Sequence, residues 1–423
     1  MKNRTLFTLF LLAMFAWRMV LAVNAKHGDM YNSLDWGYGA VKYGLGQFYD
    51  LPKEAWPHSR PNQPPGSIYF HLASVELSQG INYLINTLNS QVPIFPSKLV
   101  WWWQWNGDLA TIKLPPILGD FALAAAILAV GRMTKRVKVS LIVAAVYLIN
   151  PALWYNSAFW GHTDAVVAAL SIWSLVTLWQ RRTLLSPILL GLSFITKASW
   201  LFIVPLYLLY FWRNYRQKFY QILAAPLVMV LVSLPFHSNI LTFGPWFWNL
   251  YIHRVLPGDY TWITVLAFNF WNLVYAPFGV YYRTLFLGFP ANVVGGAIIF
   301  ILLVILAIRL IKQPQPATLT WVSMLLAFAA FLFAPKMASR YLYPAFPLLA
   351  LSLVTARRAK WLWVAYIIMS GCYLINLYYL WWAPGNLWLQ SLYTDTATKI
   401  VSVIYLSVFA FLFVRPVSNV QKN

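Results

Sequence analysis

The sequence predicts an all-α membrane protein with about twelve transmembrane helices, and three observations predict it. The 423 residues are 61% hydrophobic and only 10% charged, where soluble domains run near ~45–50% and ~25%. Mean hydropathy is +0.62. Apolar runs of roughly spanning length recur along the whole chain, separated by short basic or Pro/Gly-rich breaks. This composition excludes a soluble enzyme. It also excludes a disordered chain, which would be weakly hydrophobic. The net charge of +21 would point to nucleic acid on a soluble protein, but in a membrane protein cytoplasmic turns alone can supply it. No nucleic-acid partner is expected.

In chain order, the apolar runs lie near 5–23, 114–131, 139–155, 164–179, 183–197, 199–212, 219–236, 291–311, 317–335, 341–356, 361–382 and 397–414. With Lys2 and Arg4 in the cytoplasm and sides alternating, the inner turns carry Arg132/Lys135/Arg136/Lys138, Arg181/Arg182, Arg213/Arg216/Lys218, Arg309/Lys312, Arg357/Arg358/Lys360 and Arg415/Lys422. Together these make 18 of the 31 cations. The outer side holds 12, half of them in the long segment 24–113, where the positive-inside bias is weak. Arg18 falls within the first run. This asymmetry places both termini in the cytoplasm. The first run begins like a signal peptide, but it continues through Trp17, Arg18 and Met19 without a small-residue cleavage pattern, and we read it as a retained span.

Two outer segments, 24–113 and 237–290, are too long to be connectors. Both are rich in Trp, Tyr and Pro, as interfacial helices and re-entrant pieces are. With no repeat, linker or soluble portion visible, 1–423 reads as a single polytopic membrane domain. The lone cysteine, Cys372, lies in an apolar run as a lipid-facing or packed residue, so no disulfide framework exists.

The ten carboxylates locate the chemistry: Asp29, Asp35, Asp50, Glu54, Glu76, Asp108, Asp120, Asp164, Asp259 and Asp395. On this topology all lie outside or near the outer end of a span. ATP hydrolysis is not expected, because no Walker-type loop exists and the inner turns have no acid to hold magnesium. Asp29 follows the first span closely, in HGDMYNSLDW. A carboxylate at the lip of a membrane helix has tunable basicity and meets a lipid substrate at headgroup depth; the alternative is a solvated loop aspartate. Asp35, six residues on, is free to assist or to bind an acceptor. Asn62-Gln63-Pro64-Pro65-Gly66 marks a turn into an amphipathic helix. In NPALWYNSAFWGHTD, Pro151 and Gly161 interrupt the apolar pattern and set His162 and Asp164 at the outer end of the fourth span. These two either line a cavity or only cap the helix. Lys197, Arg254, Lys336 and Arg340 are cations near outer helix ends, against the topological bias. They invite an anionic ligand, phosphate first, or are drawn to anionic headgroups.

Taken together, these segments resemble the GT-C superfamily of integral-membrane glycosyltransferases, which use polyprenyl- or dolichyl-phosphate sugars. Gly28-Asp29 in a large first outer loop matches the superfamily's hallmark. The order Gly-Asp, aromatic, Trp, then Pro-Pro looks like the branch of glucosyltransferases acting on lipid-linked oligosaccharide. NPALWYNSAFWGHTDA, FNFW and SRYLYPAFP are similar to segments of bacterial and archaeal polyprenyl-phosphate-mannose-type transferases. His162 departs from those relatives, which often have Gln there. The resemblance implies a catalytic base at Asp29 and donor-phosphate binding by Arg254, Lys336 and Arg340, with Asp35, His162, Asp164 and Lys197 as supporting or acceptor residues. No cofactor is implied. Where relatives pair acids in the first loop, Asp29 and Asp35 are not adjacent, which leaves divalent-metal dependence open.

The implied reaction is inverting transfer of a hexose, mannose or glucose, from a polyprenyl-phosphate carrier to a hydroxyl of a glycan, lipid or protein acceptor. It would occur on the extracytoplasmic face of a prokaryotic plasma membrane, among its lipids. A lipid phosphate leaves readily, so one base and a cationic clamp suffice without the second carboxyl of a glycosidase. The competing readings are a polyprenyl-linked sugar transporter or flippase, for which midplane acids and inverted repeats would be expected, and an oligosaccharide ligase.

Overall fold

The computed structural model describes residues 2–256, 260–356 and 360–415. Asp259, Arg357, Arg358 and Lys422 lie outside the described residues, as do the side chains of Lys2 and Arg4. Of the described residues, 78% are helical and 3% strand. Among the described residues seven helices are long and apolar enough to cross a membrane, or eight if Val137–Ile149 and the bent piece Pro151–Trp160 form one crossing.

Helix α1 (Lys2–Val23) and the Ala291–Lys312 helix are apolar around most of their circumference, yet largely uncovered by protein. Phe300, Ile301 and Val304 project outward on the latter. A surface of that kind is stable only against lipid. The Pro316–Phe333 and Ala345–Thr355 helices are the reverse case, buried nearly all round at the centre of the bundle.

Three expected spans are shorter than a bilayer requires. Asp164–Trp179 has 16 residues, Leu185–Thr196 has 12 and Ala345–Thr355 has 11. Their neighbours shield them from lipid, so packing rather than length stabilises them. The expected spans at 199–212 and 219–236 form one helical run of 39 residues, Ala198–Phe236, about 58 Å at 1.5 Å per residue and too long for one ~30 Å crossing. Tyr215 interrupts it with a non-helical backbone (φ −138°, ψ 38°).

The first long segment folds into three helices: α2 (Gly28–Tyr43), α3 (Pro65–Gln91) and α4 (Ser97–Ile112). Pro65 starts α3, where its missing N–H costs nothing. Gly66 is required by the crossing with Leu185–Thr196, since a Cβ there would sit 2.6 Å from the Ile195 carbonyl oxygen. The Pro-Pro-Gly element is thus a helix start and a helix–helix contact, beyond the turn expected of it. On α4, Trp101 and Trp105 face outward, as residues at a membrane interface do.

Helix α5 (Leu114–Met133) runs from Lys113 at one end of the molecule to Arg132 near the other. At the Arg132 end, hydrogen bonds gather the basic turns. Arg136 donates to the carbonyls of Val354 and Ala356, Gln180 approaches Met133 and Arg309 donates to Phe413 O at 2.7 Å.

After α6 (Val137–Ile149) the chain bends by 49° into Pro151–Trp160. Asn150 makes the corner: its Oδ1 accepts from Ala152 N at 3.0 Å, and its Nδ2 donates to Tyr366 and Ser370 hydroxyls at 3.0 and 2.8 Å. Tyr155–Trp160 is a π-helical turn, a form that concentrates at functional sites. It ends at Gly161 in the left-handed region (φ 88°), where a Cβ would also strike the Lys113 stem.

A polar network ties α1 to α5 inside the bundle. Arg18 and Asp120 are fully buried, 3.4 Å apart. Asp120 accepts from Ser157 at 2.5 Å and Tyr343 at 2.8 Å, while Arg18 donates to Leu148 O at 2.9 Å. In the second long segment, Thr264–Val265 pairs in parallel with Met337–Ala338. Asn269 of the Asn-Phe-Trp element is fully buried; it caps the next short helix and donates to Phe331 O at 3.1 Å. That element is a docking device for the segment. Cys372 is packed inside the bundle.

Candidate active site

Asp29 is the second residue of α2, two positions after its cap. His27 supplies the cap, its Nδ1 accepting from Asp29 N at 3.0 Å. That bond requires a bare Nδ1, and burial opposes charging the ring, pulling His27 down to about 4 despite the nearby Asp29 carboxylate. His27 is therefore neutral, and its 3.7 Å approach to Asp29 Oδ2 is not an ion pair.

Around the same oxygen stand Trp160 Nε1 at 3.3 Å, Arg340 Nη1 at 3.6 Å and His162 Nε2 at 3.8 Å. Oδ1 has no hydrogen-bond partner among the described residues. Behind His162, its Nδ1 lies 3.3 Å from Asp164 Oδ2 and 3.4 Å from Lys197 Nζ, and Lys197 pairs with Asp164 at 2.5 Å. Residues separated by 131 or more positions thus meet in one cluster. Of these, Asp29, His162, Asp164, Lys197 and Arg340 line a cavity of about 500 Å³, which also receives Asn62, Gln63, Tyr260 and Lys336.

Each local fold has a role in this. The parallel pairing at Met337–Ala338 delivers Arg340, whose carbonyl accepts from Tyr373 at 3.1 Å. Bend and π-turn deliver Trp160 and His162. Lys113 is fully buried and fastens this piece to the end of α1: its Nζ donates to Ala22 O, Ala25 O and Phe159 O at 2.8, 2.7 and 2.8 Å. One lysine thereby joins the end of α1 to the π-helical turn, the two segments that flank Asp29.

Burial pushes the Asp29 carboxyl up, but the Arg340 guanidinium above all, with Lys197, outweighs it and holds Asp29 below its ordinary value. For His162, burial is the largest influence and lowers it; Asp164 acts in the opposite direction and Lys197 and Arg340 reinforce the lowering. His162 is neutral at pH 7. Arg340 is held well above its ordinary value: burial opposes its charge, and Tyr260, Tyr341, Asp29 and Asp164 overcome that. Among the described residues its Nε is buried without a partner, and its Nη2 reaches Tyr260 only at 3.4 Å. A charged fork with an unused donor at a cavity wall is suited to an incoming oxyanion.

Not every residue singled out in the sequence comes here. Asp35 accepts from His58 N at 3.1 Å and meets its Nδ1 at 2.6 Å, away from the cavity wall. Arg254 donates to Tyr49 O at 2.7 Å and is not among the cavity residues. Lys336 lines the cavity, with its Nζ 4.4 Å over the Tyr282 ring. Among the described residues, no three His, Cys, Asp or Glu side chains are grouped to hold a metal ion.

No protein-family model matches the chain, and no curated protein does.

Residues that the sequence left unmarked include His27, Lys113 and Trp160. Lys113 had a signal: a cation directly before Leu114-Pro115-Pro116, at the outer end of an apolar run. His27 had its place two residues before Asp29. Trp160, one among 23 tryptophans, had none.

Proposed function

We propose that this chain is an inverting hexosyltransferase of GT-C type, moving mannose or glucose from a polyprenyl-phosphate carrier to an acceptor hydroxyl. In this reading it is a multi-pass protein of a prokaryotic plasma membrane with both termini cytoplasmic. Its short buried helices and the two halves of Ala198–Phe236 complete about twelve crossings, and the cavity faces outside.

One observation carries the reading: a partly open carboxylate, a buried guanidinium with an unused donor and a Lys–Asp–His relay converge on one cavity beside the lip of the first helix. The Asp29–Arg340 contact is long, so the phosphodiester of an incoming polyprenyl-phosphate sugar can draw Arg340 away. Asp29 then loses the influence that lowers it most, and its basicity rises as substrate binds. The acceptor oxygen attacks the anomeric carbon on the face opposite the phosphate, its proton passes to Asp29, and the bond from carbon to phosphate oxygen breaks with the electron pair leaving on phosphate. Arg340, supported by Lys336 and Lys197, stabilises the charge that develops there. His162, neutral and beside Asp29, is placed to relay the proton.

A transporter reading is disfavoured because Asp29 and Asp164 meet at the cavity, while Asp120, buried within the bundle, is already closed by Arg18, Ser157 and Tyr343 and is not free to couple an ion. The test is transfer of radiolabelled sugar by purified protein in proteoliposomes, given polyprenyl-phosphate mannose, glucose and arabinose with membrane-extract acceptors. Transfer from at least one donor is expected. Movement of the intact lipid-linked sugar across the bilayer without transfer would overturn the proposal.

A further inference from the structure

We propose that Arg60 and Arg254 form a second oxyanion site at the rim of the cavity, which takes a phosphoryl group carried on a lipid. The site rests on the function proposed above only for its purpose; its existence is argued from geometry. Arg60 Nη2 and Arg254 Nη1 donate to the same acceptor, the Tyr49 carbonyl, at 3.3 and 2.7 Å. Two guanidinium groups are therefore held together on one neutral oxygen. Among the described residues no carboxylate lies within ion-pair distance of either. Arg60 Nε is buried and has no partner among the described residues. Burial and the charge of Arg60 pull Arg254 below its ordinary value, with Asp50 acting the other way. Like charges held half-buried on a single carbonyl repel each other and leave donors unused, and an oxyanion accepting from both forks resolves both costs.

The chain places this pair beside the cavity while keeping it apart from Arg340. Two residues after Arg60, the Asn62-Gln63-Pro64 stretch forms cavity wall, as do Val255 and Leu256 just after Arg254. Tyr49 links the two places directly, its hydroxyl donating to Gln63 O at 2.7 Å while its carbonyl carries the arginines. Trp36, which also lines the cavity, holds the same strand of wall through Ser59 O at 2.8 Å. A substrate with its reacting end near Asp29 and an anionic group at the rim would span the two sites. The acceptor is thereby assigned to the class of phosphorylated lipids.

The probes are inorganic diphosphate and a short-chain polyprenyl diphosphate, titrated calorimetrically into full-length protein in phosphatidylcholine nanodiscs. Wild-type protein should bind the polyprenyl probe at two sites. Arg340→Gln should remove one and leave the other at wild-type affinity. The double substitution Arg60→Gln with Arg254→Gln should weaken the other by about 10-fold or more. Weakening of both probes identifies a general phosphoryl site, and weakening of the polyprenyl probe alone a lipid-phosphate site; either supports the proposal. Undiminished binding by the folded double variant overturns it. So does loss of wild-type binding when a third of the lipid is phosphatidylglycerol, because bulk headgroups would then be the occupants. If the Gln variant melts early, Arg60→Lys with Arg254→Lys replaces it: keeping charge without the fork, it should bind about 3-fold more weakly, and wild-type affinity there overturns the proposal.

Discussion

Two ionic clusters lie within reach of Tyr343, and they are built to opposite specifications. In the first, Arg18 and Asp120 are sealed in the bundle, and Asp120 is closed by Ser157 and Tyr343 at 2.5 and 2.8 Å. In the second, Asp29 keeps 41% of its side chain open, and its charged and imidazole neighbours stand 3.6 to 3.8 Å away. Tyr343 belongs to both, hydrogen-bonded to Asp120 and lining the cavity. A buried pair with short bonds fixes geometry, because removing either partner strands the other charge. A loose cluster on a cavity leaves donors and a basic oxygen available to a ligand. The difference separates the residues that hold the scaffold from those that act.

The largest expected effect breaks the sealed cluster. Asp120→Ala should lower stability by about 3–5 kcal/mol by leaving Arg18 uncompensated, read as thermal melting in detergent. Arg18→Met with Asp120→Leu should recover most of that loss. If the single change leaves melting untouched, the two clusters do not differ as described.

In the open cluster the effect should fall on activity instead. Arg340→Gln should reduce sugar transfer by about 10²–10³-fold with little change in melting. It should also move the acid limb of the pH profile. Arg340 is the strongest influence holding Asp29 low, against burial that raises it. Without the guanidinium the carboxylate protonates at a higher pH, so activity that wild type keeps in mild acid should be lost there. A limb that stays put would detach Asp29 from Arg340.

How much of this was legible beforehand follows from the same contrast. Asp29 stood out because its signal is local, an acid a few residues past an apolar run. The outward cations Lys197, Lys336 and Arg340 stood out against the charge bias. What the sequence could not reveal was partnership: Arg340 and Asp29 are separated by hundreds of positions, and only the bend at Asn150, the Lys113 tether and the pairing at Met337–Ala338 bring their surroundings together. For the same reason Arg254 was grouped with Arg340 by type and side, while the fold sends it to Tyr49. Helix number was legible where lipid covers a helix and dictates its length. It blurred where protein covers it, as at Ala345–Thr355.

The smallest effect sharpens the boundary of the site. Asp35 pairs with His58 on a half-open surface, and such pairs contribute about 0–1 kcal/mol. Asp35→Asn should therefore change transfer by less than about 3-fold. A loss as large as that of Arg340→Gln would place Asp35 among the acting residues.

The most direct measurement is the transfer rate of purified Asp29→Asn protein, with unchanged melting as proof of folding. The amide keeps the shape and the contact with Trp160 but cannot take a proton. The account predicts a fall of about 10²–10⁴-fold, the usual contribution of a general base, with binding of the polyprenyl-phosphate donor retained. Full transfer activity in the folded variant would contradict it.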